Sequence, residues 1–269
     1  MTELTMKART FRNLSNGPVL VLPNAWDAAS AAVIVRAGAP AIATTSGGVA
    51  WSLGRPDGQG LTRQEMADAV RRIAAAVDVP VTADLEGGYG PAPGDVAATV
   101  QAAIEAGAVG MNLEDSGAEG LFSPTDQADR IRAGREAAAA AGLPEFFLNA
   151  RTDVFLRQAG DEHEVTARAE LYAKAGADGL FVPGLVDVAV LGRLTAAVGL
   201  PVNAMAGPGG PGVAEFAAAG VKRVSVGTAI AQAAYGLAER AAREVLGAGT
   251  YSSFAEGVAY GDLNALTRR

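Results

Sequence analysis

Three segments place carboxylates at short, regular spacing directly after apolar runs: Ala83-Asp84-Leu85-Glu86-Gly87-Gly88-Tyr89-Gly90, Asn112-Leu113-Glu114-Asp115 and Asn149-Ala150-Arg151-Thr152-Asp153. Side chains on a strand alternate between its faces, so Asp84 and Glu86 are predicted to share one face, as are Asn112 and Glu114. On neighbouring strand ends, Asp84, Glu86 and Glu114 converge. Without a counter-ion such a group repels itself in a partly dry pocket, and a hard divalent cation such as Mg²⁺ relieves that through carboxylate and water ligands. Ordinary ion pairs or helix N-caps remain the competing reading for any one of these acids.

Arg151 carries a planar fork suited to clamping a substrate carboxylate, and equally suited to pairing with the neighbouring acids. The Ser46-Gly47-Gly48 segment is either a turn or a set of unhindered backbone N–H groups for an anionic oxygen. His163, the one histidine, sits in Asp161-Glu162-His163-Glu164 at a predicted helix start, a surface setting that argues against a Ser-His-Asp mechanism. There is no cysteine, which removes disulfides, thiolate metal sites and thiol nucleophiles together.

The elements that must hold these residues are short apolar runs alternating with Ala-rich helical stretches. Strands are expected at Val19–Asn24, Ala41–Thr45, Val79–Leu85, Val109–Glu114, Phe146–Arg151, Gly179–Pro183, Val202–Met205 and Arg223–Gly227. The phrases Ala37-Gly38-Ala39, Ala106-Gly107-Ala108, Ala175-Gly176-Ala177 and Ala219-Gly220-Val221 mark helix-to-strand turns, where glycine tolerates the left-handed backbone that closes a helix. The pattern predicts an α/β fold, a (β/α)8 TIM barrel forming one domain over residues 1–269, with the site at the C-terminal strand ends. A doubly wound open sheet is the alternative, but the turn after the first strand, Pro23-Asn24-Ala25-Trp26-Asp27, lacks the glycines of a phosphate-binding turn. Residues 247–269 form a C-terminal helical extension, with Ser252 to Leu266 as a further helical segment. Its apolar side chains could pack on the barrel's own helices or on a neighbouring subunit.

Hydrophobic residues make up 49% of the 269 positions, yet no run approaches the roughly 18 to 20 apolar residues of a membrane span. The polar N-terminal stretch does not read as a secretory signal, so a cytoplasmic protein with no membrane partner is expected. The net charge of −7 argues against a nucleic-acid partner.

Taken in order, Pro23-Asn24-Ala25-Trp26-Asp27, Thr45-Ser46-Gly47-Gly48, the Asp84–Gly90 segment, Asn112-Leu113-Glu114-Asp115 and Ala150-Arg151-Thr152-Asp153 resemble the isocitrate lyase and phosphoenolpyruvate mutase superfamily. The resemblance implies an α/β barrel, a Mg²⁺ ion with Mn²⁺ as the alternative, and a small 2-oxo acid, its enolate or a dicarboxylate as ligand. It also implies a homo-oligomer, dimer or tetramer, whose C-terminal helices can be exchanged between subunits. Carried over by residue, Asp84 resembles the direct metal ligand, and Glu86, Glu114 and Asp57 resemble acids holding metal-bound waters. Trp26, Ser46, Gly47, Gly48 and Arg151 resemble substrate contacts, and Asn203 matches a polar position on the seventh strand.

Two departures stand out. Glu86 replaces the usual Asp, adding a methylene. The loop after the fourth strand is the short Ser116-Gly117-Ala118-Glu119-Gly120-Leu121-Phe122-Ser123, where lyases of this kind carry a Lys-Arg-Cys-Gly-His-like sequence. Proton transfer then falls to water, Tyr89, Ser123, Glu119 or another carboxylate, with Tyr89 the first choice because the flanking glycines let the backbone bend. The expected function is a Mg²⁺-dependent carbon–carbon lyase in which Arg151, Tyr89 and Glu114 take part in catalysis. Phosphonate mutase or hydrolase chemistry is the alternative within the fold, and a non-catalytic 2-oxo acid binding protein the alternative of another class.

Overall fold

The computed structural model describes residues 2–267. Its apolar runs form parallel strands joined by helical crossovers, as parallel pairing requires. Nine strand segments lie in one sheet. Two of them, Leu20–Leu22 and Asn24–Ala25, are halves of a single strand β1 interrupted at Pro23, whose missing N–H breaks the ladder. The first half pairs with the last strand, Leu20 opposite Arg223, and the second with the next one, Asn24 opposite Ala43, so the sheet closes on itself. Counted this way the ring has eight strands, continuing with β2 (Ile42–Thr44), β3 (Val81–Asp84), β4 (Gly110–Glu114), β5 (Phe147–Arg151), β6 (Gly179–Phe181), β7 (Val202–Met205) and β8 (Arg223–Ser225). The barrel expected from the alternation is the observed fold, and the open sheet is not.

Helices α2 (Ala28–Arg36), α4 (Arg63–Ala75), α5 (Pro93–Glu105), α6 (Pro124–Ala140), α7 (Glu162–Ala175), α8 (Val188–Ala197), α9 (Val213–Ala218) and α10 (Ala229–Gly247) surround it; α1 and α3 are described below. The four Ala-Gly turns do end in left-handed glycines, with φ of 102° at Gly38, 92° at Gly107, 102° at Gly176 and 81° at Gly220. The core lies between ring and helices, with Leu22, Ile42, Met111, Ile131, Leu148 and Phe216 among its buried side chains.

Five local features differ from the sequence expectation. Residues Glu3–Ser15 form a helix, α1, that buries Ala8 and Phe11. It lies at the N-terminal end of the barrel, where Phe11 meets Phe147 edge-on at 5.3 Å and Arg12 reaches Asp178 at 2.8 Å. Strand β3 stops at Asp84, so Glu86 does not share a strand face with it; Glu86 sits beyond the strand at φ 51°, a left-handed conformation. Ser46 to Ser52 are neither a loose turn nor strand but a short helix, α3. After β4 comes a small antiparallel hairpin, Ser116 opposite Leu121 and Gly117 opposite Gly120. The C-terminal segment divides into a 3-10 turn, Ser252–Phe254, and helix α11, Tyr260–Leu266, which lies against α2 with Asp262 3.8 Å from Arg36.

Candidate active site

The C-terminal ends of β3, β4 and β5 bring Asp84, Glu114 and Arg151 together through strand register, with Asp84 opposite Asn112 and Glu114 opposite Arg151. Asp84 is buried. One of its oxygens accepts hydrogen bonds from the Ser46 backbone N–H at 3.3 Å and hydroxyl at 3.1 Å, the other from the Asn112 amide at 3.4 Å. Asn112 in turn accepts from Asn149 at 2.9 Å, and Asn149 donates to Asn203 at 3.2 Å. A chain of amides thus crosses the barrel interior beneath the site and fixes the orientation of Asp84. Asn203, at 1% exposure, also donates to Ser225, Ala204 and Arg223, so its part in this structure is to tie strands together.

Gly47 and Gly48 are required by close approach. A Cβ on Gly47 would lie 2.9 Å from an Asp57 carboxylate oxygen, and one on Gly48 would lie 2.8 Å from Cβ of Trp26. Trp26, Ser46, Gly47, Gly48 and Asp57 are therefore grouped beside Asp84.

Glu86 accepts a short hydrogen bond from the Gln59 backbone N–H. Burial, and the charges of Asp84 and Asp57, push its pKa up to about 7 against the pull of the Gln59 bond and Arg151. Glu114 is pushed up to about 8, first by burial, with Asp153, Asp84 and Glu86 adding to the shift. It is raised even though Arg151 lies 2.8 Å away, because burial and the neighbouring carboxylates together outweigh that one guanidinium. Arg151 also grips Asp153 bidentately at 2.6 and 3.0 Å. Burial works against its charge, but Glu114, Asp153 and Asp84 outweigh that and hold it cationic.

The expected convergence of three carboxylates on one point is not what forms. Among the described residues, no three acids or histidines gather closely enough to ligate one ion directly. Asp84 turns to Ser46 and Asn112, Glu86 to Gln59, and Glu114 to Arg151, because each finds a nearer donor. The residues present, four carboxylates with oxygen donors only, are of the chemical kind that a hard cation keeping several of its waters would accept. Glu86 and Glu114 are raised first by burial and then by neighbouring carboxylates, and a bound cation would oppose both effects.

Tyr89 has φ 58°, and its buried hydroxyl has no hydrogen-bond partner among the described residues. Burial first, then the charges of nearby Glu86 and Asp84, raise its pKa, so it keeps its proton. Ser123 is occupied as the N-cap of α6, accepting from the Asp126 N–H at 3.1 Å, and Glu119 is exposed at the hairpin tip. His163 is exposed at the start of α7.

Several supporting residues escape a reading by strand ends. Arg130, buried on α6, donates to the carbonyls of Gly87, Gly90 and Pro91 and stacks on Phe122 at 4.0 Å, so it holds the glycine-rich loop that carries Glu86 and Tyr89. Arg63 reaches the Tyr89 carbonyl at 3.3 Å. Asp115, wholly buried, accepts from the Asp153 N–H, Arg168 and Tyr172 at 2.9 to 3.0 Å. The (i, i+4) spacing of Glu164, Arg168 and Tyr172 on α7 was the available signal for this last group. Above the acids opens a cavity of about 480 Å³ lined by Gln59, Glu86, Glu114, Ser116, Phe122 and Arg157, among others.

An eight-stranded parallel barrel with acids and one clamped arginine at its C-terminal rim defines an α/β-barrel enzyme scaffold. The family model described as phosphoenolpyruvate phosphomutase matches residues 11–246, and the chain belongs to that family of lyases and mutases. It is 40% identical over 230 residues to an uncharacterized protein of Mycobacterium tuberculosis, covering 85% of each chain. It is 35% identical to the 2-methylisocitrate lyase of Escherichia coli over 179 residues, 63% of this chain and 59% of the relative. The structure of an oxaloacetate acetylhydrolase in complex with its product oxalate superposes with a TM-score of 0.88 at 25% identity, covering 98% of this chain and 94% of that one. No helix among the described residues is long and apolar enough to cross a membrane.

Proposed function

We propose that this protein is a Mg²⁺-dependent carbon–carbon lyase that acts on a small 2-oxo acid or its aldol adduct through an enolate. The observation that carries the reading is the excess of buried carboxylate over cation at the ends of β3, β4 and β5, with Glu86 and Glu114 both raised. Asp84 would hold the ion directly, and Glu86, Glu114 and Asp57 would accept hydrogen bonds from its waters; Mn²⁺ suits the same oxygen donors. When bound, the ion supplies a Lewis acid for the 2-oxo group and for the negative charge of the enolate.

The chain's own residues do the rest. Arg151 keeps N–H groups beyond those given to Glu114 and Asp153, and these hold the substrate carboxylate. Ser46, Gly47 and Gly48 line the approach beside Trp26, where the lack of side chains leaves room for an anionic oxygen. Asn203 acts at one remove, through Asn149 and Asn112, by holding Asp84. Retro-aldol cleavage and decarboxylation both break the bond to the carbon next to the 2-oxo group or its alkoxide precursor. In either, the resulting carbanion takes a proton from water in the cavity, since the hairpin offers only the exposed Glu119.

Incubation with oxaloacetate, methylisocitrate, isocitrate and phosphonopyruvate, with Mg²⁺ and with chelator, tests the reading. Metal-dependent turnover of at least one carbon–carbon substrate is expected. Turnover of phosphonopyruvate alone would replace it with P–C chemistry, the reading that the family's phosphomutase description favours. Binding of oxalate with no turnover at all would make the protein a sensor. The exposed Leu246 (87%) and Tyr260 (85%) near the C-terminus support exchange of this segment in a homo-oligomer, which sedimentation would reveal.

A further inference from the structure

The cavity above the acids is electrically lopsided. Glu86 and Glu114 line its floor, and the one basic side chain lining it among the described residues is Arg157, from the tight turn that follows β5. That turn is held by the Arg157 N–H to the Asp153 carbonyl at 2.9 Å and by Gln158 in a left-handed conformation at φ 51°. The other arginines around the site lie outside the cavity lining: Arg151 pairs with Glu114 and Asp153 and Arg168 with Asp115 and Glu164, Arg130 donates to backbone carbonyls, and Arg223 is enclosed in the barrel interior. Arg157 differs. Its Nε donates to the Ser116 hydroxyl at 2.9 Å, and Ser116 passes the bond on to Asp153 at 2.7 Å. No carboxylate pairs with the guanidinium among the described residues, and Arg157 is exposed where it lines the cavity.

We propose that Arg157 is a specificity-determining residue that receives a second, distal carboxylate of the substrate, so that the site takes small dicarboxylates rather than monocarboxylic 2-oxo acids. This rests on the metal and Arg151 site proposed above for the first carboxylate. A cavity of about 480 Å³ suits a ligand of this size. With Nε fixed on Ser116, the Nη edge offers two parallel N–H groups, which match the two oxygens of a planar carboxylate; the three oxygens of a phosphonate dianion call for more cations than this wall provides. The clamp also bears on the reaction. Decarboxylation of the distal group releases neutral CO₂, and a guanidinium that binds the carboxylate more tightly than CO₂ opposes that loss. Cleavage in which the distal carboxylate survives in one product, as in a retro-aldol step, keeps the contact throughout.

The test compares three probes by calorimetry in the presence of Mg²⁺: oxalate, which reaches only the metal and Arg151; 3,3-difluorooxaloacetate, which adds a distal carboxylate; and 2-oxobutyrate, of equal chain length without it. The unaltered protein should bind the difluoro dicarboxylate at least tenfold tighter than 2-oxobutyrate. Arg157→Met should abolish that preference and leave oxalate affinity within about twofold. A preference retained in Arg157→Met overturns the proposal, and so does an equal loss for oxalate, which would mark Arg157 as a support for the loop. Failure of the unaltered protein to bind oxalate removes the underlying metal-site reading, and this inference with it.

Discussion

Glu114 and Asp115 are neighbours in the chain and belong to opposite kinds of network. Asp115 faces away from the cavity, has no exposure, and accepts from a backbone N–H, a guanidinium and a tyrosine hydroxyl. Glu114 faces the cavity beside Asp84 and Glu86 and shares with them a single arginine, itself divided with Asp153. Both are carboxylates at one strand end, Asp115 fully buried and Glu114 partly so. The first group is complete as it stands, so it serves to anchor the hairpin and the turn after β5. The second is short of positive charge, and left-handed backbone at Gln59 (φ 61°), Glu86 (φ 51°) and Tyr89 (φ 58°) surrounds it. Such conformations cost on the order of 1–3 kcal/mol each and persist where surrounding structure enforces them, here Arg130 and Arg63. Unsatisfied charge on a strained but well-braced rim distinguishes a site for a ligand from a structural knot.

The contrast is broken most sharply at Asp84. Asp84→Ala should reduce Mg²⁺ affinity, read by calorimetry, by a hundredfold or more, about 2.7 kcal/mol, while thermal stability changes little. Unchanged affinity in a folded variant would move the ion elsewhere. Asp115→Asn should do the reverse, lowering stability by about 3 kcal/mol because Arg168 loses its buried partner, with Mg²⁺ affinity nearly unchanged. Denaturant melting of the two variants side by side makes the comparison direct.

Arg151 belongs to both networks, since Asp153 takes its Nε and Nη2 side and Glu114 contacts Nη1. Arg151→Lys should weaken oxalate binding by tenfold or more, about 1.4 kcal/mol, because an ammonium cannot reproduce the planar geometry. Equal oxalate affinity would assign Arg151 to the structural side alone.

The open network should also respond to pH. Glu86 and Glu114 are raised in the fold, to about 7 and about 8, from an ordinary value of 4.5. Between 4.5 and about 8 the folded chain holds protons that the unfolded chain has lost, so metal-free stability falls as pH rises through that window. Mg²⁺ binding should release protons near pH 7, and its stabilising effect should grow between pH 5.5 and 8.5. Melting curves with and without Mg²⁺ would show it, and a metal effect independent of pH would remove these two acids from the ion's surroundings.

The barrel was legible because strand periodicity and Ala-Gly turns are local signals, repeated eight and four times. Residues at the ends of strands, such as Glu114 on β4 and Arg151 on β5, were legible for the same reason. Glu86 was misplaced because alternation was carried two residues past the point where β3 ends, into a loop held by Arg130 from a helix more than forty residues away. Helix α1 was missed because its apolar side is narrow, with Ala8 and Phe11 its buried residues, and gains its value only by packing at the barrel's N-terminal end. Arg157 offers no periodic cue; its significance lies in lining the cavity with no carboxylate partner among the described residues, which only the fold reveals.

Tyr89 supplies the smallest expected effect and the finest division between the two networks. Its place in Gly87-Gly88-Tyr89-Gly90 made it the first choice as proton donor, yet its hydroxyl is buried, unbonded and not among the groups lining the cavity. A general acid placed in the reaction typically contributes about 10²–10⁴-fold. A hydroxyl that no donor or acceptor meets should contribute far less, and leaving it unpaired costs on the order of 1 kcal/mol. Tyr89→Phe is therefore expected to lower kcat by less than about fivefold on the best substrate and to raise stability slightly, because it removes an unsatisfied polar atom without changing the packing around the ring. Steady-state kinetics and denaturant melting on the same preparation give both numbers. A loss of a hundredfold or more in kcat with KM unchanged would place the hydroxyl on the reacting atoms, return Tyr89 to the role its sequence position suggested, and require the glycine-rich loop to move when substrate binds.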